Sequence, residues 1–457
     1  MKLITNILFF ILMEIPAFSQ NWINAGIPIE TTQIRTVAID TISNKLYAGG
    51  YTHIDTYGNS SLCIYDGADW IVKDTINNLI RALTFYNNEL YMGGDFVTIN
   101  SQPMKYLAKW NGTNWINIGT SGGGILNLRV INNELYAVGT FTQIAGVNAN
   151  SIAKWNGISW ISLNFPDSKH IGNYSAVGDC ALYKSSLYVS GNFQTNSGLT
   201  DIAMLHNGTW QRVGNNDSIR GTFSNLFKMA VFNNELYVSG YLAHSEGNVG
   251  NGIQKWDGLS WKTVGTGLQD YNNTTNSVAS VQDMLVHKGK LYVAGGFSFA
   301  GNSKAPNLAV WDGIKWCAVD TLIESNKNIT AFGIYRDTVF IGTHPTLENV
   351  NVNSFAKFIK GDYNYTEKCS SNFDVGVSEI NNNQIKIYPN PTNSILNIAD
   401  ENNQFQYTLI EIKNTLGQVV LSIPFSNHID ISFLASGMYF LTVQDKYDKQ
   451  TVKIIKE

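Results

Sequence analysis

Charged residues make up only 14% of this 457-residue chain, against about 25% in an average soluble domain. The net charge is −4 and no run of Lys or Arg occurs, so there is no basic stripe to follow a phosphate backbone, and no nucleic-acid partner is expected. Cysteine is scarce too. Cys63, Cys180, Cys317 and Cys369 are too few for a disulfide-built scaffold, and no C-x-x-C spacing offers a zinc or redox site. Beyond the first twenty residues no apolar run approaches the length that spans a bilayer, so no integral membrane segment is expected after processing. What is abundant is aromatic residues, at 12%, and glycine, at 40 positions, a balance that favours short strands and turns over helices. The length calls for two folded units.

At the N-terminus, Lys2, the apolar stretch from Ile7 to Met13 and the sequence Ala17-Phe18-Ser19 have the order of a secretory signal peptide, residues 1–19. Three pairings of the four cysteines are open in an oxidising compartment. Cys317 with Cys369 is the expected bridge, because it would tie the segment after the last repeat back to the repeats. Cys63 and Cys180 fall inside expected strands, where buried free thiols are the alternative.

A unit of about fifty residues recurs along the chain. It reads NNELYMGGDF…LAKWNGTNW from Asn87 and NNELYAVGTF…IAKWNGISW from Asn132, with further copies from Asn233 and Gly289. Its second Trp aligns at Trp22, Trp70, Trp115, Trp160, Trp210, Trp261 and Trp316, and its strand aromatic at Tyr47, Tyr91, Tyr136, Tyr188, Tyr237, Tyr292 and Phe340, so both markers count seven. Apolar alternation within a unit fits four strands. Asp-Gly or Asn-Gly between the third and fourth, as at Asn111-Gly112, predicts a two-residue hairpin turn with both residues at positive φ. The expected fold is therefore all-β: a seven-bladed β-propeller over residues 20–365, a linker over 366–378 and a small C-terminal Ig-like β-sandwich over 379–457. Two closures are open. Trp22-Ile23-Asn24 could complete the seventh unit, which would leave no exposed edge; or Asp362-Tyr363-Asn364-Tyr365 could be a degenerate fourth strand. The glycines ending the second strand (Gly49-Gly50, Gly93-Gly94, Gly295-Gly296) and the paired aromatics of strands three and four resemble the kelch-like, galactose-oxidase-type propellers. Val138-Gly139, Ser190-Gly191 and Ser239-Gly240 keep only one of the two glycines.

Links between strands one and two and between three and four are short and share one face. The long connections, such as Asp95–Lys105, Thr140–Ser151 and Thr266–Gln282, share the other. Long loops on a rigid scaffold are where binding residues collect, which makes Arg35, Arg81, Asp179, Lys228 and Asp283, near the start of the innermost strands, the candidate ligand-binding residues. The recurrence of Trp at one position per unit points to packing between blades and away from sugar stacking. Catalysis finds little support: His53, His170, His244 and His344 lie in long loops of different units without metal-ligand spacing, and only Asp179 and Asp283 offer a carboxylate pair. No catalytic residue, metal or cofactor is expected, and the chain is expected to be a monomer that binds a glycan or protein. The competing reading is a polysaccharide-acting enzyme using the same face.

From about Asp374 the repeat gives way to Tyr388-Pro389-Asn390-Pro391, a Leu-Gly turn at Gly417, Gly437 and Tyr439 in Ser-Gly-x-Tyr, and a basic end at Lys453 and Lys456. This order closely resembles the type A C-terminal sorting domain of the type IX secretion system. The resemblance implies recognition by the outer-membrane machinery and passage through the periplasm to the outer surface or the medium.

Overall fold

The computed structural model describes residues 22–28, 31–52, 59–169, 176–214, 219, 226–243, 250–270, 279–319, 328–342, 346–347, 350–351, 355–358, 386–399, 407–415, 418–444 and 449–457. The expected signal peptide, the four loop histidines, Cys369, Gly417 and the linker 366–378 lie outside these residues. The chain is all-β, and it divides into two units, Met1–Ser371 and Asn372–Glu457. No helix among the described residues is long and apolar enough to cross a membrane.

In the first unit the described strands form seven main antiparallel sheets in succession, five of four strands, one of five and one of six, with three smaller sheets beside them. Their opening strands are Thr31–Asp40, Ile80–Tyr86, Ile125–Ile131, Ala176–Tyr183, Leu226–Phe232, Ser280–His287 and Ala331–Tyr335. Each opening strand neighbours the next, and the seventh neighbours the first. The seventh sheet takes its fourth strand from the N-terminus: Trp22–Asn24 pairs antiparallel with Phe355–Phe358, Trp22 opposite Phe358. Trp22 is fully buried there.

The recurrent tryptophans hold neighbouring sheets together. The indole N–H of Trp160 donates to Ile118 O at 2.9 Å, Trp210 to Leu163 O at 2.8 Å and Trp316 to Val264 O at 2.9 Å, each carbonyl lying just past the fourth strand of the preceding sheet. Trp70 donates to Ala25 O at 2.8 Å. Ala25 follows the N-terminal strand, so that strand occupies the place of a fourth strand by this criterion also. Trp115 departs from the pattern and donates to Asp74 Oδ2 at 2.9 Å.

Glycine at the end of each second strand has a backbone cause. Six opening strands carry an extra, bulged residue near their start: Arg35, Arg81, Leu126, Gly178, Phe227 and Gln282. A bulge bends its strand, and here the backbone before it closes on the facing glycine. A Cβ on Gly94 would lie 2.1 Å from Leu79 O, on Gly139 2.1 Å from Gly124 O, and on Gly295 2.0 Å from Ser280 O. The single glycines of the third and fourth units, Gly139 and Gly191, are therefore the ones the register requires, and in the sixth the requirement falls on the first of the Gly295-Gly296 pair. Gly139→Ala is expected to cost about 3 kcal/mol or more, the upper range for overpacking. Gly146→Ala, at φ +78° with open space around the new methyl, is expected to cost only about 1–2 kcal/mol of left-handed strain. Urea midpoints of the two variants check the difference.

The turn between strands three and four differs from expectation. Trp110 pairs with Trp115, so four residues, not two, form the loop, and in Asn111-Gly112 only the glycine has positive φ. The Asn111 carboxamide takes over the turn, accepting from Thr113 N at 3.0 Å and Asn114 N at 2.8 Å; Asp66, Asn156, Asp257 and Asp312 do the same in their sheets. This is an Asx turn, which a short carboxamide or carboxylate closes without itself entering the left-handed region. Only Asn207-Gly208 has both residues at positive φ. The two-residue turns with paired positive φ are instead those between strands one and two, at Asn87-Asn88, Asn132-Asn133 and Asn233-Asn234.

The second unit has two antiparallel sheets. One joins Lys386–Tyr388, Ile395–Ala399 and His428–Asp430; the other joins Val419–Pro424, Leu409–Asn414, Gly437–Gln444 and Lys449–Lys456. Alternate residues of both, including Leu396, Ile398, Ile410, Ile412, Leu441 and Ile454, share one apolar core.

Candidate functional site

The long connections between strands two and three are built segments. Five of them begin, among the described residues, with a buried anchor: Phe96, Phe141, Phe193, Leu242 or Phe297. In four units the chain then forms a small hairpin, as in Thr98–Ile99 with Gln102–Pro103 and Gln143–Ile144 with Val147–Asn148. Two of them pair with chain that precedes their own sheet: Ile99 with Ile76 of the first sheet, and Phe299–Ala300 with Leu268–Gln269 in the link after the fifth. The stretch from Val97 to Met104 thus follows a structural repeat that its sequence hides.

Inside the ring the five candidate residues share one region of the opening strands. Arg35 and Arg81 are the bulged residues themselves, while Asp179, Lys228 and Asp283 directly follow the bulge in their own strands. At this second position the side chain can reach the backbone of the next sheet. Thr36 Oγ1 accepts from Leu83 N at 3.1 Å, Asp179 Oδ2 from Met229 N at 2.8 Å and Asp283 Oδ2 from Phe332 N at 3.3 Å.

Asp179 is fully buried and its oxygens are all engaged. Besides Met229 N it accepts from Asn127 Nδ2 at 2.8 Å, from its neighbour Cys180 N at 2.8 Å, and from the Arg129 guanidinium at 2.7 Å through Nε and 2.5 Å through the terminal nitrogen. Arg129 also donates to Met229 O at 3.3 Å. Burial acts to lower the Arg129 pKa, but the Asp179 carboxylate and, farther off, Asp283 raise it overall, so the guanidinium stays charged. Asp179 therefore joins three sheets and has no lone pair left for a ligand. Lys228 Nζ lies 3.7 Å from Asp283 Oδ1, both about one-fifth exposed.

Arg81 meets Asp95, at 2.8 Å through Nε and 2.7 Å through the terminal nitrogen, each side chain about one-third exposed. Arg35 is different. Its Nε is buried and has no hydrogen-bond partner, and burial, with the charge of Arg81 beside it, pushes its pKa down. Cys63 and Cys180 are buried free thiols; burial pushes the Cys63 thiol up to about 12, which keeps it protonated and unreactive. Cys317 is disulfide-bonded. Among the described residues no group of three His, Cys, Asp or Glu side chains could hold a metal ion.

Sequence reasoning missed Arg129, Asn127 and Asp95. The register shows the signal that would have found Arg129. It pairs with Tyr136, and the residues opposite the corresponding aromatics in the other sheets are Ala38, Thr84, Ala181, Ala230, Leu285 and Gly333. A charged side chain stands where every other unit has a small or apolar one.

In the second unit the Tyr-Pro-Asn-Pro segment locks onto the end of the chain. Asn390 Nδ2 donates to Lys453 O at 2.8 Å and Asn390 Oδ1 accepts from Ile455 N at 2.9 Å. Thr392 N donates to Ile455 O at 2.9 Å, and Glu457 N to Thr392 O at 3.0 Å. Tyr388 is about half exposed, whereas Tyr439 is buried and its hydroxyl donates to Ala435 O at 2.9 Å. Lys453 is exposed and Lys456 buried. Asn390→Ala is expected to lose about 1–2 kcal/mol from its two bonds and to speed hydrogen exchange at the Ile455 amide; unchanged exchange there would show that the carboxamide does not hold the strand.

Residues 386–457 match the family described as the secretion system C-terminal sorting domain. No curated protein matches the chain. Among solved structures the chain is similar to the β-propeller domain of the Trilobed protease from Pyrococcus furiosus, at 11% identity and a TM-score of 0.41, over 69% of this chain and 92% of that one. It is similar also to Chaetomium thermophilum Sqt1, solved bound to the N-terminus of the ribosomal protein L10, at 11% identity and a TM-score of 0.41, over 74% of this chain and 98% of that one. The extracellular domain of the hybrid two-component system BT3049 from B. thetaiotaomicron matches at 10% identity and a TM-score of 0.32, over 93% of this chain and 68% of that one. The sorting domain marks the protein for the cell surface by type IX secretion.

Proposed function

We propose that residues 20–365 form a seven-bladed β-propeller of the kelch-like kind, followed by an Ig-like sorting domain, and that the propeller binds a glycan or protein ligand through its long-connection end without catalysis. Support for seven blades comes from the seven sheets and the pairing of Trp22–Asn24 with Phe355–Phe358. The kelch-like assignment rests on the glycine that each bulge requires and on the aromatic pairs, such as Trp155 with Trp160 at 5.2 Å.

The observation that carries the binding reading is the contrast between the two ends of the sheets. One end is closed by two- and four-residue turns satisfied by their own backbone and Asx side chains. The other end carries anchored hairpins together with the bulged arginines, a rigid frame of the kind that supports binding groups. Glycan-array and pull-down measurements on the full chain test this: binding that Arg35→Ala or Arg81→Ala abolishes supports it. Binding unchanged in both variants would move the site elsewhere, and turnover of a polysaccharide would replace the binding reading with an enzymatic one. A chain ended at residue 385 is expected to accumulate in the periplasm while the full chain becomes accessible to protease added outside the cells.

A further inference from the structure

We propose that Arg35, with Arg81 beside it, forms an oxyanion subsite, taking a carboxylate or sulfate group, at the long-connection end of the first and second sheets. The two arginines occupy the same bulged position in adjacent opening strands. Those strands are tied together next to both residues by the bond from Leu83 N to Thr36 Oγ1 at 3.1 Å.

The other charges beside the bulges of the inner strands cancel in pairs. Arg129 has Asp179, Lys228 faces Asp283 and Arg81 has Asp95. Arg35 makes no ion pair or hydrogen bond among the described residues, its Nε is buried, and its nearest charge effect comes from a like charge. A half-buried guanidinium beside a second cation is an unfavourable arrangement in the empty protein. It becomes favourable when an oxyanion supplies the missing acceptors, because the guanidinium fork matches two oxygens of a carboxylate or sulfate and Arg81 adds a second positive charge. Arg81 can contribute without leaving Asp95, since the pair is partly exposed.

This inference rests on the long-connection end being the ligand face, and the experiment separates the two. Thermal unfolding of the full chain is followed with sodium sulfate, sodium acetate and oligogalacturonate, against sodium chloride at equal ionic strength, and affinities are taken from the concentration dependence. Sulfate or acetate is expected to raise the midpoint beyond chloride. Arg35→Gln is expected to weaken that affinity by about tenfold or more, and Arg35→Lys to weaken it less. Without added oxyanion, Arg35→Met is expected to be as stable as the parent or more so, which an arginine holding the fold would not allow. A parent that does not respond beyond chloride, or a response equal in Arg35→Gln, overturns the subsite. A response to the free ions without a tighter one to oligogalacturonate keeps the subsite and assigns its oxyanion to a non-uronate source. Failure of every glycan and protein to bind, with the ion response intact, would count against the proposed function and leave the subsite standing.

Discussion

Asp179→Ala is expected to lower the unfolding free energy of the first unit by about 3–5 kcal/mol, the range for removing one partner of a buried ion pair. The change leaves the Arg129 guanidinium without its counter-ion and strips acceptors from Asn127 Nδ2, Cys180 N and Met229 N. Because those donors belong to three successive sheets, the loss falls on their joint packing and not on one strand. Two controls sharpen the result. Asp179→Asn keeps the shape but loses the charge, and should fall between the parent and alanine. Replacing both residues, as Arg129→Met with Asp179→Leu, should recover much of the loss, since an apolar pair of similar volume often matches a buried ion pair. Urea unfolding followed by tryptophan fluorescence reads all three, and a loss under about 1 kcal/mol for Asp179→Ala would show that the network does not hold the ring.

Trp22→Ala is expected to cost a similar amount, about 3–5 kcal/mol for truncating a buried tryptophan. Trp22 lies edge-on to Phe358 at 4.9 Å and packs with Val319, Ile329, Phe332 and Ile341 in the core shared by the sixth and seventh sheets. The strand that carries it continues into Ala25, whose N–H donates to Phe355 O at 3.0 Å and whose carbonyl receives Trp70. Losing Trp22 therefore weakens the place where the first and last sheets meet, and limited proteolysis should cut the N-terminal strand before any other part of the ring. If Trp22 were only an extra edge strand, as the alternative closure supposes, the cost would fall to that of a surface substitution, within about 0.5 kcal/mol.

Both sites illustrate how far the sequence could be followed. The repeated Trp and Tyr, the turn dipeptides and the order of motifs in the tail are local patterns, and local patterns survive without knowledge of distant contacts. They were enough to delimit seven units, assign a strand to Trp22 and identify a sorting domain. The Asn-Gly turn was misjudged because two turn types share the dipeptide; what separates them is whether the Asn side chain or the Asn backbone does the turning. The hairpins at residues 98–103 and 143–148 were hidden because two-residue strands carry too little alternation to register as strands. Asp179, Lys228 and Asp283 are legible in the sequence as polar residues near the start of the opening strands, but the bonds they make to neighbouring sheets are not.

By itself the sequence determined the repeat length, the count of repeated units, the glycines that end the second strands and the address carried by residues 386–457, since each follows from spacing along the chain. Only the tertiary structure decided which charges cancel. Arg129 and Asp179 lie fifty residues apart and meet because their opening strands are neighbours around the ring. The same arrangement sets Arg35 beside Arg81 and leaves it without a carboxylate partner among the described residues. A charge pattern in one dimension carries no such distances, and these distances separate the paired arginine from the one with no carboxylate among the described residues.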